Sequence, residues 1–125
     1  MTFRYARHTN DLERIKAFYI DVLGMELLGS FENHDGYDGI FIGKPTLDWH
    51  LEFTKSDDLA KHTFDEDDIL VFYPKTISEY KALIDQLAEN GIKTIESKNP
   101  YWNQNGIMVL DPDGYRIIIS SSKTA

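Results

Sequence analysis

Two stretches of the chain repeat their apolar residues at the period of a helix. Leu12, Ile15, Tyr19, Val22 and Leu23 share one face, with Phe18 beside them, and Ile77, Tyr80, Ile84 and Leu87 do the same further on. Both stretches are punctuated alike. Asn10 with Glu13, and Thr76 with Glu79, have the spacing of a capping box, whose first side chain accepts from an amide left over in the first turn. Gly24 and Gly91 stand where the helices should stop, glycine being the residue that turns left-handed without a steric penalty.

Around the helices the period shortens to that of strands. Arg4 to Thr9, Met25 to Glu32, Tyr37 to Ile42 and Trp49 to Thr54 flank the first helix. Ile69 to Tyr73, Lys93 to Ser97, Gly106 to Leu110 and Tyr115 to Ser121 flank the second. His34-Asp35-Gly36, Gly43-Lys44-Pro45 and Asp111-Pro112-Asp113-Gly114 are turn signals. The order β-α-β-β-β thus occurs twice. Sliding one half onto the other brings Leu23-Gly24 near Asn90-Gly91 and Trp49–Phe53 near Tyr115–Ile119, an offset of about 66 residues. The prediction is an α+β fold, one domain over 1–125, built from tandem βαβββ modules at about 3–55 and 68–122. The joining segment, about 56–67, carries Asp57-Asp58 and Asp65-Glu66-Asp67 and reads as a solvated linker.

One strand speaks of a site. Trp49, Leu51 and Phe53 alternate with His50, Glu52 and Thr54. The apolar set should meet the helical layer, leaving His50 and Glu52 on the opposite face, about 7 Å apart along the strand. That face is either solvated surface or the lining of a cavity. Composition narrows the partners. A formal charge of −8 repels phosphate backbones and anionic lipid, so neither nucleic acid nor a membrane is expected. There is no cysteine, which excludes disulfides and thiolate sites and fits a cytoplasmic location. The start has no apolar run of signal-peptide type, and no stretch reads as a membrane span.

The opening, Arg4 to Leu12, followed by Phe18-Tyr19-Ile20-Asp21-Val22-Leu23-Gly24-Met25-Glu26, resembles the first module of the vicinal oxygen chelate superfamily (glyoxalase, bleomycin resistance protein, dioxygenase). Gly106 to Ile119, with Asp111-Pro112-Asp113-Gly114-Tyr115, resembles its last hairpin. Gly36-Tyr37-Asp38-Gly39, Trp49 to Thr54 and Asn99-Pro100-Tyr101-Trp102 resemble one bacterial subgroup. The resemblance implies curved sheets around a small-molecule cleft behind His50 and Glu52, and commonly a homodimer. In metal-dependent members it also implies four histidine or glutamate ligands, whose metal acts as a Lewis acid. The corresponding positions here are Arg4, Glu52, Asp68 and Ile118. Arginine and isoleucine cannot ligate a metal. No cofactor is therefore expected, and the leading function is metal-independent binding of a small molecule. The alternative is a metal-dependent lyase, isomerase or dioxygenase of the same superfamily. A regulatory module that acts mainly by dimerising also stays open.

The candidate pocket residues are Arg4, His50, Glu52, Asp68, Trp102 and Ile118, with Glu52 and His50 the candidates for catalysis. Arg4 and Glu52 read either as an ion pair filling the former metal site or as an anion hook, since a guanidinium fork binds two oxygens at once. His50 is either a hydrogen-bonded pocket histidine or a general acid–base oriented by a carboxylate. A βαβ crossover followed by two hairpins makes the first and fourth strands parallel, which sets Arg4 at the level of His50 and Glu52 and His8 beyond it, against a His8–His50–Glu52 metal cluster. His34 and His62 fall in predicted loops or turns and read as solvated. Trp102 reads as lying on a loop, either packing there or at a dimer contact, or forming a lid over a flat ligand.

Overall fold

The computed structural model describes residues 1–122. It contains two compact units, Met1–His62 and the chain from Thr63 onward. In the first, β1 (Phe3–His8) leads through Asp11 into a helix α1 (Leu12–Lys16) that continues as π-helical turns over Ala17–Val22. Then come β2 (Glu26–His34), β3 (Tyr37–Gly43) and β4 (Trp49–Lys55), in a four-stranded sheet ordered β1-β4-β3-β2. β1 and β4 are parallel and adjacent; β3 runs antiparallel to β4, and β2 to β3. The second unit holds β5 (Ile69–Phe72), α2 (Ile77–Glu89), a short α3 (Pro100–Gln104), β6 (Gly106–Leu110) and β7 (Arg116–Ser120), in a three-stranded sheet ordered β5-β7-β6. Each unit thus brings its first strand beside its last, as a βαβββ module requires.

The core of the first unit follows the alternation. Ile15, Phe18, Tyr19 and Val22 on the helical segment, and Ile40, Ile42, Leu51 and Phe53 on the sheet, are all buried. Tyr19 packs on Phe53 at 5.1 Å between ring centroids, and the Arg7 guanidinium lies 5.1 Å from the same ring. Burying each such aromatic or aliphatic side chain contributes about 1.5–3 kcal/mol. In the second unit Leu87, Met108, Val109, Ile117, Ile118 and Ile119 are buried, whereas Ile77 at the start of α2 is exposed.

Several expectations are corrected. The cap of α1 is Asp11, which accepts from the Arg14 amide at 3.1 Å; Asn10 instead accepts from the Ala60 amide at 2.8 Å, tying down the linker. At α2 Thr76 caps as expected, accepting from the Glu79 amide, but the Glu79 carboxylate reaches one residue further back and accepts from the Lys75 amide. Gly24 and Gly91 turn left-handed at φ 79° and 69°. The linker is more than a solvated tether: Phe64 packs against Tyr115, with ring centroids 4.9 Å apart and planes tilted, and His62 is half-buried. Lys93 to Ser97 is not a strand. It makes a single bridge, Ile95 to Met108, because the side-chain amide of Asn103 takes both backbone groups of Ser97. Trp102 accordingly sits on α3 and not on a loop, its helix capped by Asn99 with Pro100 in the first turn.

Candidate functional site

Register decides which side chains meet. Across the parallel β1–β4 pair, Arg4 lies opposite His50, Ala6 opposite Glu52 and His8 opposite Thr54. Across β3–β4, Phe41 lies opposite Glu52 and Gly43 opposite His50. Paired residues share a face, so Arg4, Phe41, His50 and Glu52 form one patch on the side away from Leu51 and Phe53. Arg4 Nε donates to His50 Nε2 at 3.0 Å, and Arg4 Nη1 lies 3.4 Å from Glu52 Oε1. The guanidinium also rests 4.9 Å from the centre of the Phe41 ring, whose edge-to-face neighbour at 5.8 Å is His50. Gly43 makes room: a Cβ there would press on His50 Cβ at 3.2 Å and Leu28 Cδ1 at 3.3 Å.

This geometry fixes the chemistry of the patch. A guanidinium can only donate, so His50 Nε2 must accept, and a neutral His50 carries its proton on Nδ1. Acting as a base through Nε2 would require Arg4 to withdraw. The Arg4 side chain is 50% exposed and that of Glu52 14%, so their long ion pair is partly screened and stabilises by no more than about 1 kcal/mol. Of the five N–H groups of Arg4, one faces His50 and one Glu52, leaving donors for an incoming anion.

The other candidates lie elsewhere. His8 is used locally: Nδ1 contacts Thr54 Oγ1 at 2.8 Å, and Nε2 contacts Ser56 Oγ at 3.1 Å and the Asp58 carbonyl at 3.2 Å. His34 ends β2, exposed beside Asp35 at 3.8 Å. In the second unit Ile69, Val71, Met108, Arg116 and Ile118 share a face. Ile118 is fully buried there. Asp68 stands one residue before β5, exposed, on the parity of Leu70, where it closes a turn by accepting from the Asp65 amide at 3.0 Å. Its neighbour Asp67 lines instead a hollow of about 300 Å³ with Ile69, Ser97, Lys98, Asn99 and Trp102. A second hollow, of about 440 Å³, runs beside the start of α1 and the β2–β3 hairpin. Neither hollow is lined by Arg4, His50 or Glu52. Sequence reasoning missed Asp67, Phe41 and Arg116. Arg116 was findable, since the offset of about 66 residues that carries Glu52 to Ile118 carries His50 to Arg116. Its guanidinium lies 5.6 Å from the Phe64 ring.

A metal of the superfamily's kind does not fit this donor set. Of the four positions that the resemblance implies, Arg4 and Ile118 offer no lone pair, and the carboxylate at the second, Glu52, already faces the Arg4 cation. Among the described residues no three His, Asp or Glu side chains gather closely enough to hold an ion.

The comparisons agree with the fold. The sequence matches the YycE-like N-terminal domain over residues 3–54 and the YycE-like C-terminal domain over residues 67–121. The chain belongs to the YycE-like family. It is 40% identical to the YycE protein of Bacillus subtilis (strain 168) over 121 residues, 96% of this chain and 87% of that one. The crystal structure of a Bacillus subtilis YycE protein superposes with a TM-score of 0.89 at 39% identity, covering 99% of this chain and 91% of the other. Glyoxalase I of Leishmania major shares the fold at a TM-score of 0.74 and 21% identity, over 96% and 85% of the two chains. TnmS3, an antibiotic binding protein from Streptomyces sp. CB03234, shares it at 0.68 and 21%, over 96% and 93%. This YycE-like chain therefore has the fold of the glyoxalase and bleomycin resistance superfamily, as the resemblance implied. No helix among the described residues is long and apolar enough to cross a membrane.

Proposed function

We propose that this YycE-like chain binds a small anionic molecule without a catalytic metal, with Arg4 as the anchor and His50 and Glu52 beside it. The observation that carries the reading is the Arg4 side chain itself. It is half-exposed, oriented by His50 at 3.0 Å and Phe41 at 4.9 Å, and has donors to spare. An arginine already held in place loses little freedom on binding, which favours affinity. The structural relatives lend support, since one is an antibiotic binding protein and another, FosX of Mesorhizobium loti, a fosfomycin resistance protein. In the second unit, Trp102 and the hollow it lines are a separate candidate recognition element, while Ile118 is buried and the Asp68 carboxylate is held in a turn. A homodimer, the superfamily's habit, and a cytoplasmic location, which the absence of cysteine fits, belong to the same proposal.

The test is a calorimetric titration with a panel of phosphonates and carboxylates, fosfomycin included, with elemental analysis of the same untagged protein. Loss of charge-assisted hydrogen bonds worth about 1.5–3 kcal/mol each should weaken a bound anion about 10- to 100-fold in Arg4→Gln. Equal binding by Arg4→Gln, or about one divalent metal per chain in the purified protein, would overturn the proposal.

A further inference from the structure

We infer that the Arg4–Glu52 pair selects a zwitterion: a ligand whose anionic group is followed by a protonated amine one carbon away, as in an α-amino acid. The inference rests on the anchor reading above and narrows its ligand class. Arg4 Nη1 and Glu52 Oε1 stand 3.4 Å apart, and among the described residues the Glu52 carboxylate has Arg4 for its partner. With His50 Nε2 accepting from Arg4, a neutral His50 leaves the patch with one positive and one negative charge.

A bare anion docking on the unused Arg4 donors stands near the Glu52 carboxylate, whose repulsion offsets part of the attraction and leaves such an anion weakly held. The Arg4 donors would gain an acceptor while Glu52 lost its cation to a competitor. A zwitterion reverses that balance. Its carboxylate faces the free Arg4 N–H groups and its ammonium gives Glu52 a second donor. In an α-amino acid the carboxylate oxygen and the ammonium nitrogen lie about 3 Å apart by ordinary bond lengths, close to the spacing of the Arg4–Glu52 pair. A bare cation fails for the mirror-image reason, being repelled by Arg4. The aromatic lining of the same face, Phe41 under the guanidinium and Phe31 5.9 Å from Phe41, suits an apolar or aromatic body on the ligand.

Three probes separate the charges: phenylalanine, 3-phenylpropanoate, which lacks the amine, and phenethylamine, which lacks the carboxylate. Each is titrated by NMR into the wild-type chain, Glu52→Gln and Arg4→Gln, with melting curves to confirm that the variants fold. Phenylalanine should bind the wild type about tenfold or more tighter than either analogue. Glu52→Gln should abolish its advantage over 3-phenylpropanoate, and Arg4→Gln its advantage over phenethylamine. Binding of 3-phenylpropanoate as tight as that of phenylalanine, and lost in Arg4→Gln, would overturn the zwitterion and leave the anchor standing. No binding of any probe at millimolar concentration would also overturn the inference; whether the anchor falls with it is read from the phosphonate and carboxylate panel.

Discussion

Asn103 replaces a strand neighbour with a side chain, and removing it should cost more than its place on a five-residue surface helix suggests. Its Oδ1 accepts from the Ser97 amide at 2.7 Å and its Nδ2 donates to the Ser97 carbonyl at 3.0 Å, while Ser97 is only 7% exposed. Asn103→Ala strands both backbone groups. At about 1–3 kcal/mol per stranded group, with partial rescue by water, the loss should be about 2–4 kcal/mol. That lowers the melting temperature by roughly 6–16 °C for a chain of this size. The same change frees α3, so Trp102 emission should shift as well. Asn103→Asp sharpens the test. An ionised carboxylate still accepts from the amide but turns an oxygen on the Ser97 carbonyl, whereas the protonated acid can donate there. The introduced group should therefore have its folded pKa raised above the ordinary value near 3.9. The sign follows: the destabilisation is present at neutral pH and fades as pH falls through that raised value toward the unfolded one. Urea denaturation followed by circular dichroism at pH 7 and pH 4 measures it. A loss in Asn103→Ala below about 0.5 kcal/mol, or a deficit in Asn103→Asp that does not shrink in acid, would refute the reasoning.

Two further outcomes are expected. The ¹⁵N shifts of His50 should show a pyridine-like Nε2 and a protonated Nδ1 whenever the ring is neutral, and Arg4→Leu should release that preference toward the usual mixture; an Nε2-protonated ring in the wild type would contradict the Arg4 hydrogen bond. Gly106→Ala should cost about 1–3 kcal/mol, because a Cβ there runs into the backbone of Ile119 and Ser120, which cannot swing aside as a side chain would; thermal melts of the variant beside Gly91→Ala, where only the left-handed φ of 69° opposes the change, separate crowding from backbone strain.

The local rules in the sequence were enough for the order of elements in the first unit, the two helix stops and the sides of β4. Left-handed glycines at 24 and 91 and the alternation from Trp49 to Thr54 depend on neighbours in sequence, and each appears as read. Strand direction also followed, because a crossover and two hairpins make β1 and β4 run parallel, and Arg4 lies opposite His50 as expected. What failed was decided by groups distant in the chain or by competition between near neighbours. Asp11 outcompeted Asn10 as the cap because Asn10 was drawn to Ala60, 50 residues away. Lys93 to Ser97 has the composition of a strand, but Asn103 folded back from α3 and satisfied Ser97 first. Asp68 had the right chemistry at nearly the right position, yet a turn of its own claimed the carboxylate. Sequence alone determined which residue types could stand at the site, and that arginine and isoleucine cannot ligate a metal. Only the tertiary structure decided that Arg4 would lean on His50, Glu52 and Phe41 together, because β-sheet register joins side chains that lie far apart along the chain, 46 residues for His50 and 48 for Glu52.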